Sequence, residues 1–119
     1  MPRLLVESTP LVELAPGVFA RRPVDQSAGS AALTIGEMII EPGAPPRVRH
    51  RHRVEEGIIV REGTGRFRLD DEEWEVGPGT MVLVPAGAVH GMTNIGSTQL
   101  RTYFVYPAVT VAREDVVEA

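Results

Sequence analysis

Short apolar runs separated by Gly, Pro and small polar residues recur along the whole 119-residue chain. Side chains of a strand alternate between two faces, so runs of four to nine residues with period-2 patterning predict strands. Ten are expected, over 11–14, 18–21, 32–40, 48–54, 57–61, 65–69, 73–76, 81–84, 89–93 and 99–106. The 12 glycines and 10 prolines fall between these runs instead of gathering into one linker, which means many turns. One is the acidic reversal Asp70-Asp71-Glu72. Only the tail 113–117 reads as mildly helical. No internal repeat and no low-complexity segment is present. Many short strands with turn signals between them predict an all-β barrel or sandwich, not alternating βαβ units.

The phase of the pattern adds detail. Val48, His50, His52, Val54, Glu56, Ile58 and Val60 share one parity, and Arg47, Arg49, Arg51 and Arg53 take the other. Histidines are expected inward and arginines outward. An exposed stripe of alternating charge is most often a solvated sheet face; a functional version makes Arg47 or Arg49, beside Pro45-Pro46, a rim group that attracts an anionic substrate. Met81-Val82-Leu83-Val84 is apolar at every position, so both of its faces should be covered, one by the core and the other by a second subunit. Ile59 and Trp74 point the same way.

Composition narrows the chemistry. A length of 119 residues with 43% hydrophobic content suits one domain, 1–119, with N-terminal strands or an arm over 1–30 and a C-terminal tail over 107–119. No cysteine is present, which excludes disulfides, thiolate nucleophiles and Cys-type zinc sites. All twelve basic residues are arginine, which excludes Schiff-base and P-loop lysine chemistry. A net charge of -4 and a pI near 5.3 disfavour a nucleic-acid partner. No stretch approaches the roughly 20 apolar residues of a membrane span, so no membrane partner is expected and a cytoplasmic location is the default. The serines Ser8, Ser27, Ser30 and Ser97 lie in no nucleophile elbow, and Glu62-Gly63-Thr64-Gly65 lacks the spacing and lysine of a phosphate loop.

What remains is a metal-ligand set. All three histidines fall in two segments: His50 and His52 in one, His90 in the other, with Glu56 four residues beyond His52. Imidazoles plus one carboxylate suit a first-row transition ion. A lone histidine on an apolar face is more often a hydrogen-bonded core residue. Here that reading requires three histidines and a glutamate of matching parity to coincide by chance, and leaves a buried carboxylate without a counter-charge.

These residues resemble the cupin family, whose motifs read G-x5-H-x-H-x3,4-E-x6-G and G-x5-P-x-G-x2-H-x3-N. Gly43, His50, His52, Glu56 and Gly63 follow the first motif (43–63), with six residues in place of five between Gly43 and His50. Gly79, Pro85, Gly87, His90 and Asn94 follow the second (79–94) without departure. Thr64 to Pro78, fifteen residues, leave room for one hairpin between them, as in small single-domain microbial cupins. The resemblance implies a double-stranded β-helix, or jelly-roll barrel, a homodimer, and one divalent transition ion per chain (Fe, Mn, Ni, Zn or Cu) held by His50, His52, Glu56 and His90. The remaining motif residues are expected to shape turns: Gly63, Gly79 and Gly87 by backbone freedom, Pro85 by its fixed φ, Asn94 by bonding backbone across a turn.

Four protein ligands leave roughly two open positions on a six-coordinate ion. The favoured activity is a non-haem Fe(II)- or Mn(II)-dependent oxygenase, resembling dioxygenases, that acts on a small oxygen-chelating molecule, with Glu56 able to detach as a catalytic base. A metal-assisted isomerase or cyclase, in which Tyr103 or Glu56 moves the proton, is the second reading, and a non-enzymatic metal- or metabolite-binding module the third. Met38, Phe67, Trp74, Met92, Tyr103 and Phe104 are the candidate substrate-binding wall; core packing serves each of them equally well.

Overall fold

The computed structural model describes residues 3–116. Eleven strands occur among them: β1 (Val12–Ala15), β2 (Val18–Val24), β3 (Thr34–Ile40), β4 (His50–Arg51), β5 (Glu56–Glu62), β6 (Gly65–Leu69), β7 (Glu72–Val76), β8 (Met81–Val84), β9 (His90–Asn94), β10 (Leu100–Tyr106) and β11 (Glu114–Asp115). Two sheets form, a six-stranded one ordered β1-β2-β3-β10-β5-β8 and a five-stranded one ordered β11-β4-β9-β6-β7. Every pairing is antiparallel. This is the expected all-β jelly-roll barrel. No helix among the described residues is long and apolar enough to cross a membrane.

Period-2 patterning explains the core. β10 runs between β3 and β5 and buries Leu100, Thr102, Phe104 and Tyr106 while the intervening residues stay half-buried. Val18, Ile40, Ile58, Val60, Val82 and Val84 join it from the same sheet, and Phe67 and Val76 face it from the other. Each such side chain removed from water contributes about 1.5–3 kcal/mol. The β6–β7 hairpin fills the interval between the two motifs, turning at Asp70-Asp71 with Asp70 at φ 50°.

Turn residues behave as their chemistry requires. Gly63 has φ 86°, and a β-carbon there would collide with the Gln99 carbonyl. Gly79 and Gly87 are also left-handed, at φ 89° and 82°. Asn94 donates through Nδ2 to the carbonyls of Ile40 (2.9 Å) and Thr98 (2.8 Å) and accepts from the Gly96 amide, so it clamps the turn before β10 to β3.

Three expectations require correction. The strand expected over 48–54 is only His50–Arg51: the chain bends at Arg53 and Val54 and crosses to the other sheet before Glu56. Val48 is accordingly not a core residue: it stands at the cavity lining and is 52% exposed. The tail 113–117 is not helical where it is described; Glu114–Asp115 pairs with the edge of β4, and Val117 lies outside the described residues. The arginine stripe is not a uniformly solvated face, since Arg47 and Arg49 are half-buried and line the cavity that holds the histidines.

The face of the six-stranded sheet turned away from the cavity carries a feature the pattern concealed. Glu37 on β3 is 1% exposed, yet its carboxylate meets Arg21 (2.7 Å), Arg101 (3.2 Å) and Arg61 (3.6 Å). A buried carboxylate is tolerable only when paired in this way. On the same face Met81 and Leu83 of β8 remain 76% and 64% exposed in the single chain, while Val82 and Val84 enter the core.

Candidate metal centre

The four expected ligands converge. His50 lies directly opposite His90 in the β4–β9 pair, with ring centroids 4.4 Å apart. His52 follows β4, and its carbonyl accepts from the Gly87 amide at 2.7 Å, which ties the second motif's turn to the first motif. Glu56 opens β5 on the opposite sheet, across from Val84. The centre therefore sits where the two sheets meet, and the three-residue interval between His52 and Glu56 is the length of that crossing. One ligand atom from each of the four residues lies within 4.8 Å of all the others. That is close to twice a metal–ligand bond of about 2.1 Å, so the set fits one ion.

Hydrogen bonds orient the rings for this task. His52 Nδ1 lies 3.1 Å from the Ala112 carbonyl and His90 Nδ1 lies 3.0 Å from the Ala88 carbonyl. A carbonyl only accepts, so each Nδ1 carries the proton and each Nε2 is turned inward as a donor atom. Both Nε2 atoms approach Glu56 Oε1, at 3.0 Å from His90 and 3.7 Å from His52. Glu56 is 6% exposed, and the groups around it are imidazoles and a phenol, not arginines. Buried carboxylates need a cation, and a divalent ion held by these four residues would supply one.

Electrostatics favour the metal-binding form of the histidines. Burial, then the neighbouring His90, Arg113, His52 and Arg47, pushes the His50 imidazole down to about 2. His52 is also lowered, chiefly by burial, with the bond to Ala112 opposing. Neutral imidazole is the species that ligates.

A cavity of about 380 Å³ opens onto the centre, within the usual range for small-molecule sites. Among the candidate wall residues, Met38, Phe67, Met92 and Phe104 line it. Trp74 and Tyr103 do not: Trp74 packs edge-on against Phe67 at 5.8 Å, and Tyr103 points to the other face, under the Arg61 guanidinium at 4.5 Å. Reading the residues in order missed Tyr106, whose hydroxyl lies 3.4 Å from His52 Nε2. Burial and the Glu56 carboxylate raise its pKa well above the ordinary phenol value. The signal was available, because Tyr106 shares the parity of Phe104 and Tyr103 does not. The Ala112 carbonyl was also missed, and backbone groups leave no trace in a side-chain pattern.

Comparison with known proteins agrees with this fold. The family model described as Cupin domain matches residues 36–106. The polyketide cyclase RemF from Streptomyces resistomycificus is 25% identical and superposes with a TM-score of 0.85, over 100% of this chain and 87% of that one. Oxalate decarboxylase of Bacillus subtilis, a protein with Mn(II) centres, is 20% identical with a TM-score of 0.79, over 93% of this chain and 31% of that one, and so shares the fold. An uncharacterised protein of Methanocaldococcus jannaschii is 29% identical over 68 residues. The match covers 57% of this chain and about half of that relative, 54%.

Proposed function

Because the chain belongs to the cupin family, we propose that it is a divalent-metal-dependent cyclase or isomerase acting on a small, enolisable, oxygen-chelating molecule. The observation that carries this reading is the Tyr106 hydroxyl set 3.4 Å from the ligand nitrogen of His52, at the end of a largely apolar cavity. The end-to-end likeness to a polyketide cyclase supports it.

A divalent ion held by His50, His52, Glu56 and His90 supplies Lewis acidity toward chelating carbonyl or enol oxygens. The chain's own residues do the rest. Glu56 is the one carboxylate lining the cavity and can take the proton from carbon next to the polarised carbonyl. Tyr106, a buried phenol beside the His52 ligand nitrogen, can return a proton to the oxygen that gains charge when the new bond closes. Met38, Phe67, Met92 and Phe104 hold the folded substrate and exclude water. Function as a homodimer through the face that exposes Met81 and Leu83 belongs to the same proposal.

The second reading is the Fe(II)- or Mn(II)-dependent oxygenase. The intact Glu56 and the open positions expected on a four-ligand ion favour it. One experiment separates the two. Zn(II)- and Fe(II)-loaded proteins are incubated with β-diketones, phenolic polyketides, catechols and flavonols, with oxygen uptake and product mass followed together. The expected product has unchanged mass or has lost one water, forms with either metal and consumes no oxygen. Oxygen uptake confined to the Fe(II) form establishes the oxygenase instead, and inertness across the panel overturns both readings for these compound classes.

A further inference from the structure

Six of the chain's twelve arginines line one cavity, in a protein whose formal charge is -4. Three are engaged away from the metal centre: Arg49 donates to the carbonyls of Asp70 (2.9 Å) and Val89 (3.3 Å), and Arg66 and Arg68 lie 3.1 and 3.8 Å from the Glu73 carboxylate. The other three are Arg22, Arg47 and Arg113. All three line the cavity together with His50 and Tyr106, and their positive charges act on those two groups. Arg113 is fixed by Asp115 (2.7 Å) and the Val48 carbonyl (3.2 Å). Arg22 and Arg47 make no hydrogen bond or ion pair among the described residues. Arg22 continues the parity of Val18 and Ala20, which also line the cavity. Arg47 is half-buried with a second guanidinium for a neighbour, and its charged form is disfavoured first by burial and then by Arg113.

Glu56, occupied with the imidazoles, is the one acidic residue lining this space. Arg47, partly desolvated, repelled by Arg113 and without a carboxylate partner, raises the energy of the empty cavity, and an incoming anion removes that cost; Arg22, exposed on the same parity, and Arg113, held by Asp115, stand on the cavity lining beside it. Guanidinium forks pair well with carboxylate and phosphate oxygens. We propose that Arg22, Arg47 and Arg113 form an anion-recognition rim, and that the substrate carries, besides its chelating oxygens, a separate oxyanionic group. A carboxylate and a phosphate ester share the chemistry required. This deepens, and rests on, the reading of the cavity as a site for an oxygen-chelating molecule.

The test uses redox-inert Zn(II)-loaded protein and calorimetric titration with 3-(3,4-dihydroxyphenyl)propanoate, its methyl ester and its phosphonate analogue. All three present the same catechol chelator. The anionic probes are expected to bind about tenfold more tightly than the ester, as one or two charge-assisted hydrogen bonds give. Added NaCl should shrink the difference. The ratio of carboxylate to phosphonate affinity identifies the source of the oxyanion. The Arg22→Gln, Arg47→Gln double variant should bind all three like the ester, with wild-type metal content and a melting temperature no lower than wild type. In parallel, 3-phenylpropanoate, which cannot chelate, should raise the melting temperature of metal-free wild type but not of the double variant. If the catechols fail to bind while 3-phenylpropanoate binds, the rim stands and the chelating reading falls. Equal affinity for acid and ester, or a preference that survives in the double variant, overturns the rim and leaves the chelating reading intact.

Discussion

Tyr106→Phe is expected to lower kcat by about 10²–10³-fold, the usual contribution of a positioned proton donor, while metal content and KM stay close to wild type. The substitution removes only a hydroxyl. Tyr106 lies on the inward face of β10 and packs against the His52 and Phe104 rings at 5.1 and 5.4 Å, contacts that phenylalanine preserves. What is lost is the one phenolic proton beside the ligand nitrogens, in a cavity that offers no lysine and no second carboxylic acid. Steady-state kinetics on the substrate identified by the panel, with metal analysis of the same samples, measure the effect. A kcat within twofold of wild type removes Tyr106 from the mechanism. Tyr103→Phe is the control, because that ring lies on the opposite face against Arg61 and should leave kcat unchanged.

Glu56→Gln should move the metal-free and metal-loaded proteins in opposite directions. Without an ion, Glu56 is a buried carboxylate among imidazoles, and an isosteric amide can donate its N–H to the His90 Nε2 lone pair while removing the charge that must be desolvated. The metal-free variant should therefore be more stable than metal-free wild type by about 1–3 kcal/mol. With an ion the order reverses. A metal concentration about 1,000 times Kd stabilises wild type by about 4 kcal/mol, and a neutral amide in place of the carboxylate forfeits most of that. Denaturant unfolding of both proteins, with and without Zn(II), checks the crossover. Parallel curves, with the same metal-induced gain in each, show that Glu56 does not ligate.

Much of this molecule is legible in its alternation. β3, β5, β6, β8 and β10 fall close to the expected ranges because each has enough residues for the period to declare itself. β2 continues past Arg21 through Pro23 to Val24 with an irregular register, since proline interrupts the ladder without ending the strand. Elements defined by a partner are harder to see. β11 is two residues long and exists because β4 offers it a free edge, a relation across more than 60 positions that no local pattern carries. β4 is cut short where the chain must change sheets, so the continuous parity drawn from Val48 to Val60 groups His50, His52 and Glu56 correctly while leaving Val48 exposed at the cavity lining and out of the core.

The centre was legible for a different reason. Metal ligation restricts residue types and spacings severely, and His50, His52, Glu56 and His90 satisfy both restrictions in two short segments. Surroundings are less constrained. Between Tyr103 and Phe104 only one can face inward, and choosing adjacent residues guaranteed that one would be wrong; the partner of Phe104 on that face is Tyr106. Glu37 was invisible as a core residue because its burial depends on Arg21, Arg61 and Arg101, which come from three other strands.

The central claim is that one ion joins the two motifs, and elemental analysis of protein purified without added metal tests it most directly. Close to one transition ion per chain is expected in wild type, and essentially none in the His50→Ala, His52→Ala double variant, whose fold is verified by its circular dichroism. Metal retained unchanged by that variant, or absent from wild type even after reconstitution with Zn(II), Mn(II) and Fe(II), contradicts the account.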